Sequence, residues 1–289
     1  MCRWMAWLGQ PVLVEELLFK TQHGIVDQSL HARMGAEPTN GDGFGLGWYD
    51  EGGARPAVYR SVSPAWADAN LRELAGHIES PLFIAHVRAA IGSPVQQTNC
   101  HPFRHGQWLF THNGFIAGFE VLRRELMLAV DPALFADVHG STDTEVVFHL
   151  ALTFGLEEDP IGALERTVGL IEEAARRKGI AGAVQASFGV SDGTSLWCVR
   201  YATEGPARSL FASADVDAVR SLHPDNPRLQ RLSPDDRLIV SEPVSDLPGI
   251  WQEIPEGTAV TVRHGGVLEH QPFRPRAVSA AREAEAAHV

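Results

Sequence analysis

Apolar, strand-like runs stand at both ends of this chain and three helical stretches follow one another between them, an order that restricts it to layered α+β folds. Residues 2–8 are apolar and aromatic and read as a buried strand, as do 82–90 and 108–112, the last ending in a turn at Asn113-Gly114. The helical stretches are 120–130, 142–154 and 161–178. The second has Ser141 or Thr142 as its cap and Glu145 in its first turn, the spacing of a capping box. The third stops at Gly179. From residue 183 onward only strands are predicted: 183–190, 195–201, 209–212, 237–241, and 259–263 with 267–271 across a His264-Gly265-Gly266 hairpin turn.

The remaining segments connect these. A short helix is expected over 14–20, an irregular loop over 23–39, and a turn running into a strand over 40–49 with 57–61 as its hairpin partner. Residues 64–79 read as a helix with Pro64 in its first turn after the cap Ser63. No internal repeat or low-complexity linker divides the chain, so residues 1–273 are expected to form a single domain, with 274–289 as a loose, charged, Ala-rich tail.

Composition excludes several function classes. With 289 residues and 44% hydrophobic content the chain has ample material for a large core. A net charge of −12 argues against a nucleic-acid surface, which needs clustered Lys and Arg. No apolar run reaches the length of a membrane span, and Glu15-Glu16 interrupts the early hydrophobic pattern, so neither a membrane partner nor a secretory signal is expected. The cysteines Cys2, Cys100 and Cys198 are odd in number and far apart, which suits a reducing, cytoplasmic setting.

Cys2 carries the first chemical signal. Removal of Met1 is the expectation before a small side chain, and it would place a thiol and a free α-amine on one residue. A free thiol titrates near ~8.5 and an α-amine near ~7.7–8.0, so the amine can take the thiol proton. By itself Cys2 also reads as a small buried hydrophobe. Further segments stand at predicted strand ends or loops: Gly41-Asp42-Gly43-Phe44-Gly45, Ala85-His86-Val87-Arg88, Asn99-Cys100-His101-Pro102-Phe103 and Thr111-His112-Asn113-Gly114, with Ser141-Thr142-Asp143-Thr144-Glu145 opening a helix. Each has a plain structural reading too. Asn-Gly is a common turn, Asp143 can be a capping residue, and Arg88 can pair on the surface.

In this order, and together with Cys2, the segments resemble the class II glutamine amidotransferases, in particular a stand-alone subgroup with Asn-x-His-Pro-Phe before His-Asn-Gly. The resemblance implies the four-layer αββα sandwich of the N-terminal-nucleophile hydrolases. It implies Cys2 as nucleophile on the side-chain amide of glutamine or a related γ-glutamyl compound. Asn113 and Gly114 become oxyanion donors, Arg88 the partner of the substrate α-carboxylate and Asp143 that of its α-ammonium. Gly43 lies in a loop lining the pocket, and His112 supports the Asn113-Gly114 turn. No cofactor is implied. Although the chain has 13 histidines, no His-Glu-x-x-His or paired Cys-x-x-Cys spacing marks a metal site. Cys100 and Cys198 are expected to be passive. The residues after Arg88 are Ala89, Ala90 and Ile91 where the family often has an aromatic and a threonine, which implies a wider or more apolar pocket there. The resulting expectations are a glutaminase supplying ammonia to an acceptor enzyme on another chain, an independent γ-glutamyl hydrolase of a thiol-biosynthesis type, and a non-catalytic binding protein on the same fold.

Overall fold

The protein is described by a computed structural model covering residues 2–35, 38–52, 55–90 and 92–277. In chain order its strands are β1 (Arg3–Leu13), β2 (Phe44–Tyr49), β3 (Ala57–Ser61), β4 (Glu79–Val87), β5 (Phe103–His105), β6 (Trp108–Ile116), β7 (Val184–Ser191), β8 (Ser195–Ala202), β9 (Phe211–Ser213), β10 (Arg237–Val240), β11 (Trp251–Glu253), β12 (Thr258–Arg263) and β13 (Leu268–Pro272). The α-helices are α1 (Val14–Leu18), α2 (Ile25–His31), α3 (Ala69–Ala75), α4 (Phe119–Leu128), α5 (Asp143–Thr153), α6 (Pro160–Arg177) and α7 (Val216–Leu222).

The strands form two antiparallel sheets among the described residues, one ordered β11-β9-β10-β1-β4-β2-β3 and the other β13-β12-β8-β7-β6-β5. Three large apolar clusters define the layers. Trp4, Ala6 and Leu8 of β1 pack with Leu109, Leu196 and Val260 between the sheets. Met5 and Trp7 face the other way, onto Val14, Ile25 and Leu71 of the α1–α3 side. Phe110, Phe188 and Val199 pack under Leu122, Phe148 and Leu164 of α4–α6. Side chains on a strand alternate between its faces, so a strand covered on both sides must be apolar at every position. That is why 4–8 reads as one uninterrupted apolar run, and the layers are the expected αββα sandwich.

Local expectations are corrected in several places. The predicted loop over 23–39 contains α2, because Ile25 and Val26 are drawn into the core under Gly24 as N-cap. The single helix expected over 64–79 is a 3-10 turn at Ala65–Ala67, then α3, and then the start of β4. Its cap is Asp68, which accepts the Leu71 N–H at 2.8 Å, rather than Ser63. Asn113-Gly114 is no turn: β6 runs on to Ile116 and pairs Asn113 with Ser187 and Gly114 with Ala186. Thr142 caps α5 by accepting the Glu145 N–H at 3.2 Å, but the Glu145 carboxylate takes the N–H groups of His139 and Gly140, at 2.9 and 2.6 Å, instead of returning to the cap. The first residues of the expected loose tail are docked on α6, with Arg274 N–H donating to Glu165 Oε1 at 2.8 Å and Arg276 pairing with Glu165 at 2.7 Å. Residues 278–289 of that tail lie outside the described residues.

Candidate active site

The two sheets bring their strand ends together around one cavity of about 520 Å³, lined by Cys2, Arg88, His112, Asn113, Gly114 and Asp143 among others. This lies within the ~300–1,000 Å³ range of small-molecule sites. Cys2 precedes the first residue of β1, whose opening ladder pair is Arg3 with Val87 of β4. Its Sγ donates to the Ala89 carbonyl at 3.6 Å. Burial pushes the Cys2 thiol up; the Ala89 contact and nearby Arg88 oppose this, while Asp143 adds to it. The resting thiol is therefore neutral and needs a base to become a nucleophile.

Arg88 follows β4 directly. Its N–H donates to Gly43 O at 2.8 Å, and its own carbonyl accepts the Asp42 N–H at 2.9 Å. The guanidinium donates to Ser93 Oγ at 2.7 Å and Pro94 O at 3.2 Å, and the residue is only 2% exposed. Asp143 opens α5, where an acid is favoured by the helix dipole. Its Oδ2 accepts the Ile116 N–H at 2.9 Å and its Oδ1 the Thr144 N–H at 2.7 Å. Among the described residues, neither Arg88 nor Asp143 makes an ion pair. Two opposite charges thus line one cavity, each without an ion-pair partner among the described residues.

Asn113 and Gly114 come from β6 in the facing sheet. The Asn113 carboxamide makes no side-chain hydrogen bond, and its Oδ1 is buried. N–H groups two apart on a strand point the same way, so Gly114 sends its N–H to the side on which Ile116 reaches Asp143. Glycine is required at 114: a Cβ there would lie 1.9 Å from Gln185 O and 2.4 Å from His112 Nε2. His112 Nδ1 lies 3.0 Å from Thr144 Oγ1, which joins β6 to α5. The role expected of His112, supporting the Asn113-Gly114 segment, thus becomes a strand-to-helix tie.

Gly43 does not line the cavity. A Cβ there would meet Cys100 Sγ and Ser61 O, both at 2.7 Å, so its place is behind Arg88. Ala89 and Ala90 do line it, while Ile91 lies outside the described residues. His86 and His101 stack with ring centroids 4.1 Å apart. Burial pushes His86 down to about 3 and His101 well below its usual value, and lowers His112. These rings are neutral at pH 7 and poor proton acceptors. Burial also pushes the Cys100 and Cys198 thiols up. No group of three or more His, Cys, Asp or Glu among the described residues is placed to hold a metal ion.

The cavity also has features that sequence reasoning missed. Arg208 sits over Phe115 with its guanidinium carbon 5.6 Å from the ring centroid, and Phe115 lines the cavity. Ser93 braces Arg88 from a loop that no motif marks. Arg208 is joined to the site only by folding, whereas Ser93 lies five residues after Arg88 in a loop whose sequence carries no motif.

Comparison with known proteins agrees with this architecture. A family model described as class II glutamine amidotransferases matches residues 19–286. The chain is 32% identical to the probable glutamine amidotransferase DUG3 of Saccharomyces cerevisiae, over 93% of this chain and 84% of that one. It is 30% identical to the gamma-glutamyl-hercynylcysteine sulfoxide hydrolase of Mycolicibacterium smegmatis, over 93% and 98%. The solved structure of a glutamine aminotransferase class-II domain protein from Silicibacter pomeroyi aligns with a TM-score of 0.73 and 32% identity over 95% of this chain and 100% of that one. The glutamine phosphoribosylpyrophosphate amidotransferase of B. subtilis shares the fold, with a TM-score of 0.63 at 15% identity over 96% and 50%. Matched by the family model over most of its length, the chain belongs to the class II glutamine amidotransferases, a family of enzymes.

Proposed function

We propose that this protein hydrolyses the side-chain amide of glutamine or a γ-glutamyl compound through a thioester on Cys2. The observation that carries this reading is the pair of uncompensated charges, Arg88 and Asp143, facing the cavity that also holds Cys2, Asn113 and Gly114. An α-amino acid end carries one carboxylate and one ammonium and complements both. The family match begins at residue 19, so the role of Cys2 rests on this geometry and on the N-terminal motif.

Once Met1 is removed, the Cys2 α-amine takes the thiol proton and Sγ attacks the γ-carbonyl carbon. The oxyanion that forms accepts from the Asn113 carboxamide and the Gly114 N–H. The amine returns the proton to the leaving nitrogen as the C–N bond breaks. Water then attacks the thioester, giving glutamate and the free thiol.

Hydrolysis of larger γ-glutamyl compounds, independent of any ammonia acceptor, is favoured by Ala89 and Ala90. Their small side chains leave the cavity wall after Arg88 open to a bulky amine portion. The test is intact mass and turnover on glutamine and on γ-glutamyl amides, for the processed protein, a form retaining Met1, and Cys2→Ala. The expected result is one covalent adduct per chain from a diazo-ketone glutamine analogue on the processed protein alone. Turnover by Cys2→Ala would sink the reading.

A further inference from the structure

An N-terminal nucleophile has a mechanical problem. Cys2 stands one residue outside the first ladder pair of β1, and chain ends fray unless tied down. The structure ties it through the next side chain. Arg3 turns back so that Nη1 donates to the Cys2 carbonyl at 2.9 Å, while Nε donates to Glu242 Oε2 at 2.8 Å. Glu242, just beyond β10, is 1% exposed. Its oxygens are held on all sides. Oε1 lies 2.6 Å from His23 Nε2 and accepts the Arg33 N–H at 2.8 Å, and Oε2 also accepts the Met34 N–H at 3.0 Å. Burial would push the Glu242 carboxyl up, but its hydrogen bonds from Arg33, His23, Arg3 and Met34 outweigh this and hold it below the usual range. The backbone carrying it is fixed as well, since the neighbouring Ser241 N–H donates to Trp4 O at 3.0 Å.

We propose that Arg3 and Glu242 are a positioning pair that fixes the Cys2 backbone, and with it both the thiol and the α-amine of the nucleophile. This rests on the reading of Cys2 given above. A buried ion pair contributes little net stability compared with apolar groups of the same shape, so stability alone does not account for it. The planar guanidinium can serve two acceptors at fixed angles, as this geometry needs and a lysine cannot. The Arg3 guanidinium reaches the Cys2 carbonyl on one side and Glu242 on the other, so the pair acts on the reacting group and not on substrate binding.

The experiment uses the full chain processed to Cys2, with Arg3→Lys and the double variant Arg3→Met with Glu242→Gln. The double variant removes both charges together and leaves no orphaned ion. A diazo-ketone glutamine analogue labels Cys2, and its endpoint counts intact sites. Expected are a kcat per labelled site lower by about 10²-fold, a slower labelling rate with the endpoint unchanged, and a KM for γ-glutamyl substrate close to that of the parent. Asp27 is half-exposed, lies 2.5 Å from His23 Nδ1 and 3.7 Å from His31 Nδ1, and takes no part in the hydrogen bonds that join Arg3 to Cys2 and Glu242, so Asp27→Asn is expected to leave kcat unchanged. A kcat per site equal to the parent's in both Arg3 variants, or an equal fall in Asp27→Asn, overturns the positioning role. Should the double variant not fold, Arg3→Lys decides. Turnover by Cys2→Ala would instead refute the underlying assignment, so the two failures are distinguishable.

Discussion

The Trp4 indole donates its Nε1–H to Ser187 Oγ at 3.0 Å across the two sheets. Trp4 lies two residues from Cys2, and Ser187 is the register partner of Asn113. One hydrogen bond therefore ties the strand that follows Cys2 to the strand paired with Asn113. Ser187→Ala leaves a buried N–H without its partner, at a cost of about 1–3 kcal/mol. Urea unfolding at pH 7.5 is expected to show a lower midpoint with the slope unchanged.

Binding and chemistry should separate by residue. Arg88→Lys keeps a charge but loses the fork, and Asp143→Asn keeps the shape but loses the charge. Each is expected to lower kcat/KM on γ-glutamyl substrates by about 10–100-fold, mainly through KM, as for loss of a hydrogen bond to a charged group. Unchanged steady-state kinetics in both would remove the assigned pocket even with Cys2 catalytic.

Asn113→Ala is expected to act on the transition state instead. A fall in kcat of about 10²–10³-fold with little change in KM is expected. A rise in KM alone would place Asn113 in substrate binding.

Gly114→Ala tests the close approach of β6 to β7. Its Cβ would lie 1.9 Å from a backbone oxygen, Gln185 O, on the adjacent strand. Because backbone cannot yield as a flexible side chain does, a depressed thermal midpoint together with lost turnover is expected. A fully stable, active variant would show that β6 can shift there.

Stability should fall in mild acid because of the buried histidines. His86 is pushed down to about 3, chiefly by burial, whereas in the unfolded chain it titrates near ~6.5. Between these values the unfolded state binds more protons, so stability rises with pH there. The contribution is complete above the unfolded value and is lost progressively as pH falls from about 6.5 toward 3. His101 and His112 act in the same direction. Urea midpoints measured from pH 7.5 down to 4.5 should decline, and less steeply for His86→Gln. Equal slopes for parent and variant would show that His86 is not the group responsible.

The sequence by itself determined the layers and singled out most of the side chains that the fold gathers around one cavity. Burial on both faces of β1 writes itself as a continuous apolar run, and helix caps such as Thr142 and stops such as Gly179 are local signals. Cys2, Arg88, Asn113, Gly114 and Asp143 were legible as residue types in order, and the structure places all five on the wall of one cavity. Only the tertiary structure decided the rest. The Asn-Gly pair has turn chemistry, yet ladder pairing with Ser187 and Ala186 holds it in a strand. Ile25 and Val26 are too few to show a period, and burial against the first sheet made a helix of them. Gly43 sits behind Arg88 rather than in the cavity, a matter of depth that spacing does not encode. Arg3 and Glu242 are 239 residues apart in the chain and 2.8 Å apart in space, and no local pattern can report a contact that exists only once β1 and β10 have paired.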